Sequence, residues 1–111
     1  MSGGRFDYNQ HRIRDIAETI ESVILKNKVE KSAKDLKEEP WRDANWYVKY
    51  PEDKLYYNYS DEVIEKFKEA VVKLNEAYVY AQRIDWLLSG DDGEDNFLAR
   101  LQEDLDKLYS L

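Results

Sequence analysis

SDEVIEKFKEAVVKLNEAYVYAQRIDWLL, residues 60–88, is the stretch on which the fold turns. Ile64, Phe67, Val71, Leu74, Tyr78, Ala81, Asp85 and Leu88 follow one another in steps of three and four without a slip. That spacing returns each side chain to one face of an α-helix, and here it persists through most of four heptads. Ser60 is a favourable N-cap, and Asp61 and Glu62 fall in the first turn, where the helix dipole favours anions. Gly90, just after Ser89, suits a left-handed C-cap. A helix over about 61–89 is therefore predicted.

Downstream, Asp91 or Asp92 offers an N-cap for a further helix over 93–109, with Phe97, Leu98, Leu101, Leu105 and Leu108 as its stripe. The short loop between makes these two helices antiparallel neighbours. Upstream, Ile13, Ile16, Ala17, Ile20, Val23 and Ile24 form one stripe. Asp7 and Gln10 have capping-box spacing, and Asn27 is an end signal, so the first helix is expected over about 8–28. Ser32 with Asp35 caps a short helix running to Glu39, which Pro40 stops.

The remaining segment, 40–59, is unlike the rest. Trp41, Trp46, Tyr47, Tyr50, Tyr56, Tyr57 and Tyr59 crowd into it with little periodicity. An irregular crossover is expected, with one short helical turn at most, burying ring faces across the helices. The reading is a single all-α domain over 1–111: a small bundle of three main helices with an aromatic crossover.

Composition narrows the function classes. A chain of 111 residues supports one core. No apolar run approaches the roughly 18–20 residues that span a bilayer, and the N-terminus lacks a signal-peptide pattern. The absence of cysteine removes disulfides and thiolate chemistry and fits a cytoplasmic location. A net charge of −7 argues against direct nucleic-acid binding and suits a basic partner or simple solubility.

No coherent catalytic set emerges. The acidic loop 89–95 cannot be an EF-hand, because either glycine in the sixth position places a leucine among the ligands. Its acids would also repel a phosphate. Glu62 and Glu65 have the spacing that magnesium-dependent all-α nucleotide pyrophosphatases use, but they lie well off the apolar seam, as do Glu18 and Glu21. His11 has no second histidine and reads as a surface residue. No metal and no cofactor are expected.

Asp85 is the exception, since it sits near the centre of the seam. A carboxylate there costs several kcal/mol unless it is paired or well hydrogen-bonded. Arg5, Arg12, Arg14 and the indoles of Trp41 and Trp46 are its candidate partners in a buried pair; the functional reading makes Asp85 a polar pocket floor that orients a ligand. Val72, Val79 and Trp86, spaced by seven, form a second apolar stripe that needs a cover. The crossover, a second copy of the chain or a partner helix could supply it, so a homo-oligomer is one expectation.

The segments GGRFDY (3–8) and IDWLLSGDDGEDNF (84–97) resemble small helical phage and prophage proteins of unassigned function. The resemblance carries no catalytic residue with it. It implies stoichiometric action, either blocking a host defence protein or sequestering a signalling nucleotide. For a nucleotide, Arg5, Arg12, Arg42 and Arg83 would meet phosphates, and Trp41, Trp46 and Tyr50 would stack on bases, with Tyr8 and Tyr47 beside them. The expected function is thus a non-enzymatic binding protein. The alternatives are a structural subunit of a larger particle or a metal-dependent pyrophosphatase.

Overall fold

A computed structural model describes residues 4–39 and 41–110. The fold is all-α, with α1 (Gln10–Lys26), α2 (Ala33–Lys37), α3 (Ala44–Lys49), α4 (Asp61–Leu88) and α5 (Glu94–Tyr109), plus a 3-10 turn at Pro51–Lys54. Three of these helices are long: α1, α4 and α5. Among the described residues there are two isolated β-bridges and no strands. None of the helices there is long and apolar enough to cross a membrane.

The chain divides into two compact units, Met1–Ile20 with Glu69–Leu111, and Glu21–Lys68. In the first, α1 runs antiparallel to α4: Gln10 bonds Gln82 and Asp85, while His11, one residue further on, reaches back to Tyr78. α5 is also antiparallel to α4, since Asp104 meets Arg83 and Tyr109 meets Glu76. Among the described residues, Ala17 and Val71 are the buried apolar ones of this unit.

The start of α1 departs from the capping-box expectation. Asp7 and Tyr8 have positive φ, 53° and 62°, so the chain makes a tight turn there and the helix begins at Gln10. The Gln10 side chain turns inward rather than back onto the first turn. α1 also ends earlier than expected, at Lys26. Lys28 takes φ 61°, and the Asn27 side chain exchanges hydrogen bonds with the backbone of Tyr59 at 3.1 and 2.8 Å.

In the second unit, the chain after α1 pairs briefly with the residues before α4. The Lys28 amide donates to the Tyr57 carbonyl at 2.7 Å, and the Tyr56 amide to the Val29 carbonyl at 3.0 Å. Ser32 caps α2 as expected, accepting from the Asp35 amide at 3.2 Å. Pro40, the expected stop, lies outside the described residues. The crossover is more regular than its periodicity implies. Asp43 caps α3 by accepting from the Trp46 amide, and Pro51 opens the 3-10 turn at a position that needs no N–H donor.

α4 matches its prediction to within a residue. The Ile64 amide donates to the Ser60 carbonyl, and the seam is buried at Ile64, Val71 and Asp85 but released at Leu88, which is about half exposed. Gly90 takes φ 83°, the left-handed C-cap. The N-cap of α5 is Gly93, with no side-chain hydrogen bond, and neither Asp91 nor Asp92 fills that role.

Candidate binding sites

Asp85 is only 4% exposed, and no cation pairs with it among the described residues. The arginines and indoles expected as partners are replaced by neutral donors. Phe6 donates its backbone N–H to Oδ1 at 2.9 Å, and Gln10 donates Nε2 to Oδ2 at 3.2 Å. Gln10 is itself 3% exposed, and the same Nε2 donates to Gln82 Oε1 at 2.8 Å. Asp85 therefore fastens the N-terminal segment onto α4. The fastening is tight, because a Cβ added at Gly4, which has φ 61°, would lie 2.6 Å from Asp85 Oδ2.

Beside this latch lies an open groove of about 560 Å³ lined by the polar residues Arg5, Asp7, Asn9 and Gln10 and the apolar residues Phe6, Ile13 and Ala81. Arg5 lies on the rim of this groove. Asp85 itself stands one layer behind, holding the residues that line it.

His11 is not a surface residue. It is half-buried between two rings, with centroids 6.0 Å from Tyr8 and 5.6 Å from Tyr78, and its Nδ1 lies 3.2 Å from the Tyr78 hydroxyl. Arg14 sits over the same Tyr78 ring at 5.7 Å and pairs with Glu18 at 3.3 Å. The Tyr78 hydroxyl, then its charge and that of Glu18, raise the Arg14 pKa against a small loss from burial.

The corner between α4 and α5 holds a second buried carboxylate. Asp92, 7% exposed, accepts from Arg100 Nη1 at 2.6 Å, and its Oδ2 faces Arg83 Nη1 at 3.5 Å, an ion pair without hydrogen-bond geometry. Arg83 donates Nε to Asp104 at 2.6 Å and covers the Trp86 ring at 4.7 Å. The Asp104 hydrogen bond, opposed by burial and aided by the charges of Asp104 and Asp92, raises the Arg83 pKa. Arg83 is thereby committed within the fold and is not free to meet a phosphate. Of the second stripe, Val79 and Trp86 are half-buried, whereas Val72 remains 46% exposed.

The other unit gathers part of the aromatic set. Trp46 and Tyr50 have centroids 4.9 Å apart, Arg42 stands over Trp46 at 5.7 Å, and Trp46 Nε1 donates to Asp53 at 2.7 Å. Arg42 is also held by Glu39 at 3.0 Å, and Glu39 takes Lys31 at 3.2 Å. The Tyr47 ring lies under Lys54 at 5.6 Å, and its hydroxyl is buried without a partner. Trp41 and Val48 face outward, 67% and 83% exposed. The crossover thus leaves apolar surface open instead of burying all its rings. Arg12 is exposed. Nearby, the Tyr56 hydroxyl donates to Asp35 and is the largest cause of that carboxyl's lowered pKa, ahead of the opposing effect of burial and the Ser32 bond.

Glu62 is exposed and Glu65 pairs with Lys68 at 3.3 Å, so these acids are engaged with solvent and a surface lysine. Among the described residues no group of three or more His, Asp or Glu side chains is placed to hold a metal ion. The contributions of Phe6, Gln10, Arg100 and Asp104 were not foreseeable as a set. Only the aspartate on the seam signalled that donors had to arrive from elsewhere. Comparison with protein-family models, curated proteins and solved structures finds no match.

Proposed function

We propose that the chain is a small phage-derived binding protein, built on a bundle of three main helices, that acts stoichiometrically by covering a host protein. The observation that carries this reading is that Trp41 and Val48, seven positions apart in the chain, are left 67% and 83% exposed. Tryptophan is a frequent anchor at protein interfaces, and large apolar side chains left this open are what a partner would bury. The net charge of −7 favours a basic surface on that partner. Sequestration of a nucleotide is the weaker alternative, because Arg42 and Lys31 already share Glu39, and Arg83 is held by Asp92 and Asp104.

Immobilised protein exposed to a bacterial lysate should retain one partner in stoichiometric amount. The double variant Trp41→Ala, Val48→Asp should release it while keeping its helical circular dichroism. Undiminished capture by that variant would refute the surface. Thermal stabilisation by a cyclic or linear nucleotide, lost in Trp46→Ala, would favour sequestration. Magnesium-dependent nucleotide hydrolysis lost in Glu62→Gln would replace both with an enzyme. Ordered particles seen by light scattering, and weakened by Val72→Glu, would favour a structural subunit.

A further inference from the structure

In the unit formed by Met1–Ile20 and Glu69–Leu111, α4 carries α1 on one flank and α5 on the other. His11 meets Tyr78 on the α1 flank, while Tyr109 and Asp104 meet Glu76 and Arg83 on the α5 flank. At roughly 100° per residue, Tyr78 and the Glu76–Arg83 pair point about 150° apart around the α4 axis, so the three helices form one layer. A single layer has two outer sides, and here they differ. On one, Val79 and Trp86 are half-buried and Arg83 covers the Trp86 ring. To the other turn Ile16 of α1, Tyr80 and Leu88 of α4, and Leu98 and Tyr109 of α5, each between 46% and 69% exposed. Two neighbour relations fix that side. Ile13 and Ala81 line one groove, which directs the α1 stripe toward Ala81. The Tyr109 pKa is raised first by its hydrogen bond to Glu76 and lastly by the charge of Tyr80, which places those two rings together. Helical layers bury such a face against a second layer.

The charges at its edges say what the second layer is. Along α1 the exposed Arg5 and Arg12 outweigh Asp7. Along α5 the exposed Asp95 and Asp106 make the edge negative, because Arg100 is drawn to Asp92 and Lys107 points the other way. Arg12 and Asp106 also stand at one height. His11 meets Tyr78 on one flank, and the Arg83–Asp104 and Glu76–Tyr109 contacts bracket the same turn on the other. We propose that this face binds a second copy of the chain about a two-fold axis parallel to the helices. That axis lays α1 over α5 of the partner subunit and sets Arg12 opposite Asp106 of the partner subunit. An axis across the helices would instead stack α5 on α5, acid against acid. The net charge of −7 repels the two copies, but exposed charges are screened beyond roughly 8 Å at physiological salt, so the pairs at the contact dominate.

Sedimentation equilibrium of the full chain, taken up to about 1 mM, should show a species of twice 13.3 kDa. Leu98→Glu on α5 and Ile16→Glu on α1 should each weaken the dimer at least about tenfold. Both positions are exposed, so the helical circular dichroism should not change. Arg12→Glu should weaken it as well, and Arg12→Glu combined with Asp106→Arg should restore it, which a folding defect could not do. Val72→Glu, on the opposite side of the layer, should leave the dimer intact. So should Trp41→Ala with Val48→Asp, which keeps this result apart from that of host-protein capture. A strict monomer throughout the range overturns the proposal and leaves the face to a foreign protein. Assemblies larger than two copies, a dimer indifferent to Leu98→Glu, one weakened by Val72→Glu, or failure of the charge exchange to rescue it would each overturn it too.

Discussion

Replacing Asp85 by alanine removes the acceptor for the Phe6 amide at 2.9 Å and one of two acceptors for Gln10 Nε2, whose bond to Gln82 survives. An unsatisfied buried donor costs about 1–3 kcal/mol, and hydrogen bonds to a charged group lie toward the upper end of the usual range. Against this stands the relief of no longer holding a carboxylate out of water. With one donor orphaned outright and the other half-satisfied, a net loss of about 2–3 kcal/mol is expected. For a chain of this size that is roughly 8–15 °C in Tm. Asp85→Asn behaves differently. Its oxygen can still receive the Phe6 amide, and its new NH₂ can be met by turning the Gln10 and Gln82 amides together, so the loss should stay within about 1 kcal/mol. Urea unfolding followed by circular dichroism gives both values, and hydrogen exchange at the Phe6 amide reports the latch directly. If Asp85→Ala is as stable as the parent and Phe6 stays protected, the carboxylate does not hold the N-terminal segment and the reasoning is wrong.

The same latch makes Gly4→Ala costly. The new Cβ would meet Asp85 at 2.6 Å on a backbone with φ 61°, so a loss of about 2 kcal/mol or more is expected. In the Asp85→Ala background only the φ strain of about 1 kcal/mol should remain, which a double-mutant cycle measures. At the corner, Asp92→Ala leaves Arg83 with Asp104 but frees Arg100, and should cost about 1–3 kcal/mol in urea unfolding. Arg100→Ala takes away the cation hydrogen-bonded to the buried Asp92 carboxylate and should cost at least as much, about 1–3 kcal/mol. Tyr56→Phe should raise the carboxyl titration midpoint of Asp35, read by carbon NMR, back toward its ordinary value. Because the folded pKa is lowered, this interaction stabilises the protein above the unfolded value near 3.8 and is lost as pH falls through the depressed folded value. An unmoved midpoint would show that the Tyr56 hydroxyl is not the cause.

What could be read from the chain was local and periodic. The α4 seam, its Ser60 cap and the Gly90 stop depend on neighbours a few residues away, and they fall within a residue of expectation. α2 begins behind Ser32 as expected but stops at Lys37, two residues short of Glu39. What could not be read depends on distant donors. Asp85 stood out as an aspartate on an apolar face, but its partners are a backbone N–H 79 positions away and an amide 75 positions away. A backbone N–H has no sequence signature, and Gln10 looked like a capping residue because its spacing from Asp7 fitted one. Asp92 misled for the opposite reason. It occupies a good capping position, but two arginines draw it inward and leave Gly93 at the helix start. α3 is hidden by its aromatic content, which has no helical period; its one local signal is the Asp43 cap, which accepts from the Trp46 amide.

The burial pattern has a calorimetric consequence. Among the described residues only Ala17, Ile64 and Val71 are buried apolar side chains, and no large side chain is fully enclosed. Unfolding then wets comparatively little new hydrocarbon, so its heat-capacity increment should fall below the ordinary ~1.2–1.5 kcal/mol/K per 100 residues, flattening the stability curve with temperature. Enclosing Trp41 and Val48 against a partner would do the reverse, giving association a heat-capacity decrease that is large beside the folding increment.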